Sequence, residues 1–347
     1  MIDTARLAEL VENRVVFARR HPTLPLTIYN YSPQCQYDRL WCDTSLQCRG
    51  LVIDDNGMVV ARPFRKFFND GEHKPEEIPW HLPSEVTEKL DGSLLIVFWY
   101  GASWHAATRG SFDSEQAARG LEILKAKYGT DSLCPGFTYL FEVIYPGNRI
   151  VVDYGNREDV VLLGIIASET GREHSLDLAP PKLTVVRRLP PTSSFAELRA
   201  LIRDGEEGYV VRFANGFRVK VKGEHYVRLH RILSGISSRS VWECLSEGKP
   251  LDEILAVIPD EFAQWVKRER DTLTAEFLKI MFRANLATAY IGEKPARKDL
   301  AANILMHYKD VAPVAFALLD NKRPEQAAWK LCYPDRRVPE KLAELTA

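Results

Sequence analysis

The spacing of apolar residues changes period once along this chain of 347 residues, and that change limits what the chain can fold into. Through about Lys222, short β-rich runs recur: Gly50 to Ile53, Met58 to Ala61, Leu94 to Tyr100, Thr138 to Ile144, Val160 to Ile166, Gly208 to Phe213 and Phe217 to Val221. Asp55-Asn56-Gly57 and Ala214-Asn215-Gly216 sit between paired runs and carry the Asn-Gly signature of tight hairpins. Helices are expected between the runs at Ser114 to Tyr128 and Phe195 to Arg203. After about Gly235 the strand signal stops. Phe262, Trp265, Val266, Leu273, Phe277, Met281 and Phe282 recur at helical spacing, and further helices are expected at Ala296 to His307, Val311 to Asp320 and Pro324 to Leu331. Turn-connected strands point to an α+β fold with antiparallel sheets rather than a doubly wound one. Two domains are expected, residues 1–234 and an all-helical 235–347.

A hydrophobic fraction of 46% is enough for a sizeable core. The formal net charge of -1 argues against a generally basic nucleic-acid coat, though not against a local cationic site. No apolar run approaches the ~20 residues of a membrane helix. Met1 to Arg20 carries Asp3, Glu9 and Glu12 among spaced apolar residues and reads as one amphipathic helix rather than a signal peptide. The six cysteines include Cys35, Cys42 and Cys48 in one stretch, at spacing unsuited to a zinc ribbon or finger. Free thiols and a cytoplasmic location are expected.

Lys89-Leu90-Asp91-Gly92-Ser93 stands immediately before the apolar run Leu94 to Tyr100. Taken alone it is a short motif, and a lysine at such a junction is usually a solvated charge. A nucleophilic lysine must lose its proton near neutral pH, which neighbouring cations or desolvation can favour. Phe217-Arg218-Val219-Lys220-Val221-Lys222 alternates, so Arg218, Lys220 and Lys222 share one face. The run ahead of it, Glu206-Glu207-Gly208-Tyr209-Val210-Val211, begins with carboxylates. Carboxylates beside lysines suit either structural ion pairs or a site for Mg²⁺ and phosphate.

These segments, in this order, resemble the covalent nucleotidyltransferase superfamily, and more closely the phage RNA ligase 1 family of ATP-dependent RNA ligases. Lys89-Leu90-Asp91-Gly92-Ser93 matches the nucleophile motif. Phe141-Glu142-Val143 with Asn148-Arg149-Ile150-Val151 matches the third motif, Val161-Leu162-Leu163 the adjoining strand, and Glu207-Gly208-Tyr209-Val210 the fourth. Lys220-Val221-Lys222 with Tyr226-Val227 matches the fifth. Cys48-Arg49-Gly50, Arg62-Pro63 and Lys66-Phe67-Phe68-Asn69 match segments typical of this family. The likeness runs from about Tyr29 to His230.

The resemblance implies that Lys89 attacks the α-phosphate of ATP and carries AMP. Lys220 and Lys222 would neutralise that phosphate and favour a neutral Lys89 amine. Arg49 and Lys66, with Tyr29 beside them, would engage the outer phosphates. Glu142 and Glu207 would hold the ribose or a metal-bound water shell, with Mg²⁺ as the metal and Mn²⁺ as an alternative. The backbone beside Glu88 would read the adenine edge. Leu162 or Leu163 lines the base pocket or belongs to the core. Arg109 stands where the phage enzyme has lysine, so a planar fork replaces a point charge. The implied partner is RNA with 5′-phosphate and 3′-hydroxyl ends, broken tRNA being one candidate, together with separate end-healing enzymes and no membrane. Two alternatives stand beside this: another acceptor, as in DNA ligases or capping enzymes, and an RNA-end-binding protein with a silent pocket.

Overall fold

A computed structural model of the protein describes residues 2–251, 255, 260–290 and 295–338. The chain divides into two compact units, Met1–Val227 and Arg228–Thr346. The division falls inside the helix Glu224–Gly235, earlier than the 234/235 boundary expected, where composition marks no break.

The first unit contains three sheets. The first consists of β1 (Val16–Arg20), β2 (Leu26–Tyr31), β3 (Arg49–Asp54) and β4 (Val59–Ala61), in that order. Along the chain there follow β5 (Phe68–Asn69), β6 (Ser84–Lys89), β7 (Ser93–Tyr100), β8 (Ser103–Ala107), β9 (Phe137–Ile144), β10 (Asp159–Ala167), β11 (Glu173–His174), β12 (Arg188–Leu189), β13 (Gly208–Phe213) and β14 (Arg218–Lys222). The second sheet has the order β11-β10-β9-β7-β8 and the third β12-β6-β13-β14-β5. The strand pairings are antiparallel except β14 with β5. This is the α+β architecture expected from the sequence.

The second sheet is buried on both faces, which explains the continuous apolar run of β7. Leu95 and Val97 pack with Phe141, Val143 and the helix Glu115–Lys127, while Ile96 and Phe98 pack with Leu26, Ile28 and Val52 of the first sheet. Each buried side chain of this size contributes about 1.5–3 kcal/mol. Ser114 caps the helix Glu115–Lys127 by accepting from the Ala117 N–H, as Ser and Asp do at helix starts generally. The third sheet buries Val86, Val211, Val219 and Val221 against Leu198 of the helix Phe195–Leu201.

The amino-terminal expectation needs correction. Only Thr4–Glu12 is helical, and Val16–Arg20 forms β1. Val16 is the one buried residue of that strand, so its sequence shows no alternation, and pairing with β2 decides its conformation.

The second unit is helical in all its described elements. Helix Asp260–Thr288 packs with Ala312–Leu319 and Pro324–Leu331 around Ile280, Ala284, Ile304 and Val314. Phe277 stacks on Trp329 at 4.4 Å between ring centres. Among the described residues, no helix is long and apolar enough to cross a membrane.

Candidate active site

The β6–β7 connection carries Lys89-Leu90-Asp91-Gly92-Ser93 from the third sheet into the second, so the two sheets meet at Lys89. The connection is tied down along its length. Asp91 Oδ2 accepts from the Val151 and Val152 N–H groups, both at 2.8 Å, and its Oδ1 accepts from the Tyr226 hydroxyl at 2.8 Å. The Asp91 N–H donates to the Tyr154 hydroxyl at 2.9 Å. The Gly92 N–H donates to Glu142 Oε1 at 3.0 Å. A side chain at Gly92 would bring its Cβ within 2.4 Å of the Val143 carbonyl, so this crossing requires glycine. Ser93 Oγ donates to Asn148 Oδ1 at 2.9 Å, and Asn148 Nδ2 donates to the Val143 carbonyl at 2.9 Å. The Asn-Arg-Ile-Val segment thus braces the loop that follows Lys89 against β9.

Lys89 Nζ lies 2.6 Å from Glu207 Oε2, and Lys222 Nζ lies 2.9 Å from Glu207 Oε1. The Glu207 side chain is 2% exposed, against 22% and 23% for the two lysines. Both carboxylate oxygens are therefore committed. Lys220 is on the same face of β14, two residues before Lys222. Arg218 leaves the group: it pairs with Glu173 at 2.6 Å and lies over the Phe64 ring.

The electrostatics correct the expectation for Lys89. Burial works to lower its amine, but Glu207, Glu142 and Asp91 outweigh burial and hold it above the ordinary lysine value. The depressed amine is that of Lys220. Burial, then Arg49, Lys89, Lys66 and Lys222, push it well below the usual range. Burial also pushes the Glu142 carboxyl up to about 7; Lys89 opposes this, and Glu207 and Asp91 add to it. Glu207 moves the other way, because Lys89 and Lys222 overcome the cost of its burial.

A second cationic group surrounds Tyr31. Arg109 Nη1 donates to its hydroxyl at 3.4 Å and Lys66 Nζ at 3.5 Å. Burial would raise the Tyr31 phenol, but Arg109, Arg49 and Lys66 bring it below the ordinary value. The family resemblance places Tyr29 here. Tyr29 is on the same strand face two residues earlier, and burial raises its phenol against the opposing effect of a hydrogen bond from Thr27. The repeat Tyr29-Asn30-Tyr31 was the available signal, and its second tyrosine is the one among the cations. The Glu88 side chain points away from Lys89 and pairs with Arg187 at 3.1 Å; its N–H already donates to the Arg187 carbonyl. Leu162 is core, whereas Leu163 packs near Leu94 and Leu140. Arg62 is buried and structural, donating to the Ser168 and Glu169 carbonyls. The anchoring of Asp91 by Tyr154 had no signal in the sequence.

A family model described as RNA ligase matches residues 47–226, more than half of the chain. The chain belongs to the RNA ligase family. The matched span holds every residue of the two cationic groups except Tyr31. Relatives of phage RNA ligase 1 type appear among the similar proteins. An RNA ligase of Rhodothermus phage RM378 is 26% identical over 316 residues, 68% of this chain and 70% of the relative. RNA ligase 1 of bacteriophage TS2126 is 32% identical over 216 residues, 54% of this chain and 52% of the relative. A putative bifunctional polynucleotide kinase/RNA ligase of Autographa californica nuclear polyhedrosis virus is 27% identical over 62% of this chain, which spans 35% of that relative. Among solved structures, Naegleria gruberi RNA ligase with PPi matches with a TM-score of 0.42 at 15% identity, over 50% of this chain and 60% of that one.

Proposed function

We propose that the protein is an ATP-dependent RNA ligase that joins 3′-hydroxyl and 5′-phosphate ends through AMP carried on Lys89. The observation that carries this reading is Lys89 held at 2.6 Å by a buried carboxylate, with Lys220 and Lys222 on one face of β14, one strand beyond β13. In the first step Lys89 gives up its ammonium proton to solvent, the neutral Nζ forms a bond to the α-phosphorus, and the bond to pyrophosphate breaks, pyrophosphate taking the electron pair. Glu207 fixes the position of Nζ beforehand, which is where positioning lowers a phosphoryl-transfer barrier. Lys220 and Lys222 offset charge on the α-phosphate, and Arg49, Lys66 and Arg109 meet the departing pyrophosphate. AMP then passes to an RNA 5′-phosphate, and a 3′-hydroxyl displaces it.

Glu142 and Glu207 fit a divalent cation held through water and phosphate. Among the described residues no three His, Cys, Asp or Glu side chains gather tightly enough to cage one. Magnesium retains several waters in such sites. Glu142, whose carboxyl titrates near 7, is the group a cation would draw into its ionised form. When bound, the cation supplies counter-charge to the phosphates.

The acceptor is RNA in this reading because helices follow β14, where DNA ligases and capping enzymes carry an oligonucleotide-binding barrel. The helical region after residue 234 selects the RNA, and broken tRNA is a suitable candidate. The relative named as a putative bifunctional polynucleotide kinase/RNA ligase supports end-healing alongside ligation, which separate enzymes would supply here.

Incubation with α-labelled ATP and Mg²⁺ tests the reading. The protein should take up acid-labile, alkali-resistant label, and Lys89→Ala or Lys89→Arg should abolish it. A 5′-phosphate, 3′-hydroxyl RNA strand should circularise, and an all-DNA strand should react far less. Label persisting in both variants refutes the nucleophile, and equal use of DNA removes RNA from the function.

A further inference from the structure

Lys66 is held by aromatic rings and not by a carboxylate. Its ammonium lies 5.0 Å from the centre of the Tyr31 ring, 5.4 Å from Trp41 and 5.4 Å from Phe68. The rings brace one another, with Trp41 edge-on to Tyr31 at 5.1 Å and to Phe68 at 5.4 Å. Its polar contacts are to neutral oxygens, Gln36 Oε1 at 3.3 Å and the Tyr31 hydroxyl. Neighbouring cations are held the same way. Arg109 lies 5.6 Å over the Tyr31 ring, and Lys220 and Arg49 lie 4.8 Å and 6.0 Å from Phe67. Among the described residues no carboxylate comes within 4.0 Å of any of these four. Lys89, Lys222 and Arg218 each have one.

A carboxylate fixes a cation and cancels its charge. An aromatic face fixes it through the ring quadrupole and leaves the full charge in place. An anion arriving at Lys66 therefore meets an ammonium that is already positioned and not neutralised. We propose that Trp41 is a positioning residue for the outer phosphates of ATP, holding Lys66 between Tyr31 and Phe68 where the pyrophosphate group departs. The proposal rests on the ligase reading. Trp41 touches no reacting atom and acts through Lys66.

The chemistry separates this role from a purely structural one. When the Lys89–AMP bond forms, the electron pair of the broken bond goes to pyrophosphate, and Lys66 meets that charge. Sealing of an RNA end that already carries AMP breaks a bond to AMP and involves no pyrophosphate. A residue acting through Lys66 affects the first reaction and spares the second.

The test is Trp41→Leu, which removes the ring, beside Trp41→Phe, which keeps an aromatic face; Trp41→Met serves if the leucine variant does not fold. A lost cation–π contact is expected to weaken use of ATP about three- to thirtyfold, read as KM for ATP and the rate of label uptake. Sealing of chemically pre-adenylylated RNA should stay within about twofold of wild type, and Trp41→Phe should recover most of the first step. Equal loss in both reactions, or no loss in either, refutes the proposal while leaving the ligase reading intact. Absence of label on the wild-type protein refutes the ligase reading itself.

Discussion

Lys89 and Lys222 face one another across Gly208, which is the register partner of both, on β6 and on β14. The carboxylate one residue earlier, Glu207, therefore lies between two lysines. Gly208 has φ +141°, and a Cβ there would fall 2.1 Å from the Val221 carbonyl. Any side chain must push β13 away from β14 at the point where Glu207 holds Nζ. Gly208→Ala should then slow uptake of labelled AMP by about a hundredfold, because sub-ångström placement of a nucleophile controls its rate. Circular dichroism should show an intact fold with a lower melting temperature. Labelling at the wild-type rate would show that the close approach is unimportant.

The two motif glutamates should respond to neutralisation with opposite signs. The folded-state value of Glu207 lies below its ordinary one, so its charge contributes stability above the ordinary carboxylate range. Glu207→Gln leaves two lysines facing a neutral group and should cost about 3–5 kcal/mol at pH 8. Glu142 is raised to about 7. Between the unfolded value and 7 the folded state keeps a proton that the unfolded chain has released, so stability falls as pH rises through that window. Glu142→Gln keeps an acceptor for the Gly92 N–H and removes this cost. It should be more stable than wild type at pH 8 by about 1–3 kcal/mol, with the difference vanishing towards pH 4.5. Both variants should lose label uptake. Denaturant unfolding at the two pH values decides, and a destabilised Glu142→Gln would refute the account of Glu142.

The Lys89 motif and the cations of β14 were legible because each lies in one contiguous stretch, and alternation alone puts Lys220 and Lys222 on one face. The apolar strands β7, β9, β10 and β13 were legible for a similar reason, since burial leaves a continuous or alternating apolar record. β6 was not. Ser84–Lys89 has one buried apolar residue, Val86, among charged neighbours, and it is a strand because it pairs with β13. The protonation of Lys89 was not legible either. It depends on the distance to Glu207, Glu142 and Asp91, which distant segments contribute, and without those distances the nearby cations suggested the opposite sign. Tyr31 was displaced by Tyr29 because the two share a strand face, and only the positions of Arg109, Arg49 and Lys66 distinguish them.

The reversed roles of Lys89 and Lys220 predict a pH profile. Attack needs neutral Lys89, whose amine is held above the ordinary value, so single-turnover label uptake should rise by about tenfold per pH unit from acid through neutral pH. Lys220 must stay charged to meet phosphate, and its amine is depressed. Because Lys220 loses its proton before the raised Lys89 amine does, the two changes offset one another, and the rise should level off as Lys220 titrates. Lys220→Arg, which cannot deprotonate in this range, should be slower at neutral pH but keep rising where the wild type levels off. An unchanged plateau in that variant would assign it to another group.

Lys66, Arg49, Arg109 and Lys220 repel one another, and among the described residues none of them is ion-paired to a carboxylate, so a bound polyanion should stabilise the fold. Inorganic pyrophosphate without nucleoside is the probe. At a concentration a hundredfold above its dissociation constant, linkage gives about 2.7 kcal/mol of added stability, which a melting experiment resolves easily. The pH dependence carries the sign. The depressed Lys220 amine means that the unfolded chain binds more protons than the folded one above the folded value, so the unliganded fold gains stability as pH rises there. Deprotonated Lys220 also offers pyrophosphate nothing. The stabilisation by pyrophosphate should consequently shrink as pH rises through the depressed Lys220 value, and in Lys220→Ala it should be smaller at neutral pH and nearly independent of pH. A pyrophosphate effect that grows with pH in the wild type would mean that the anion binds elsewhere.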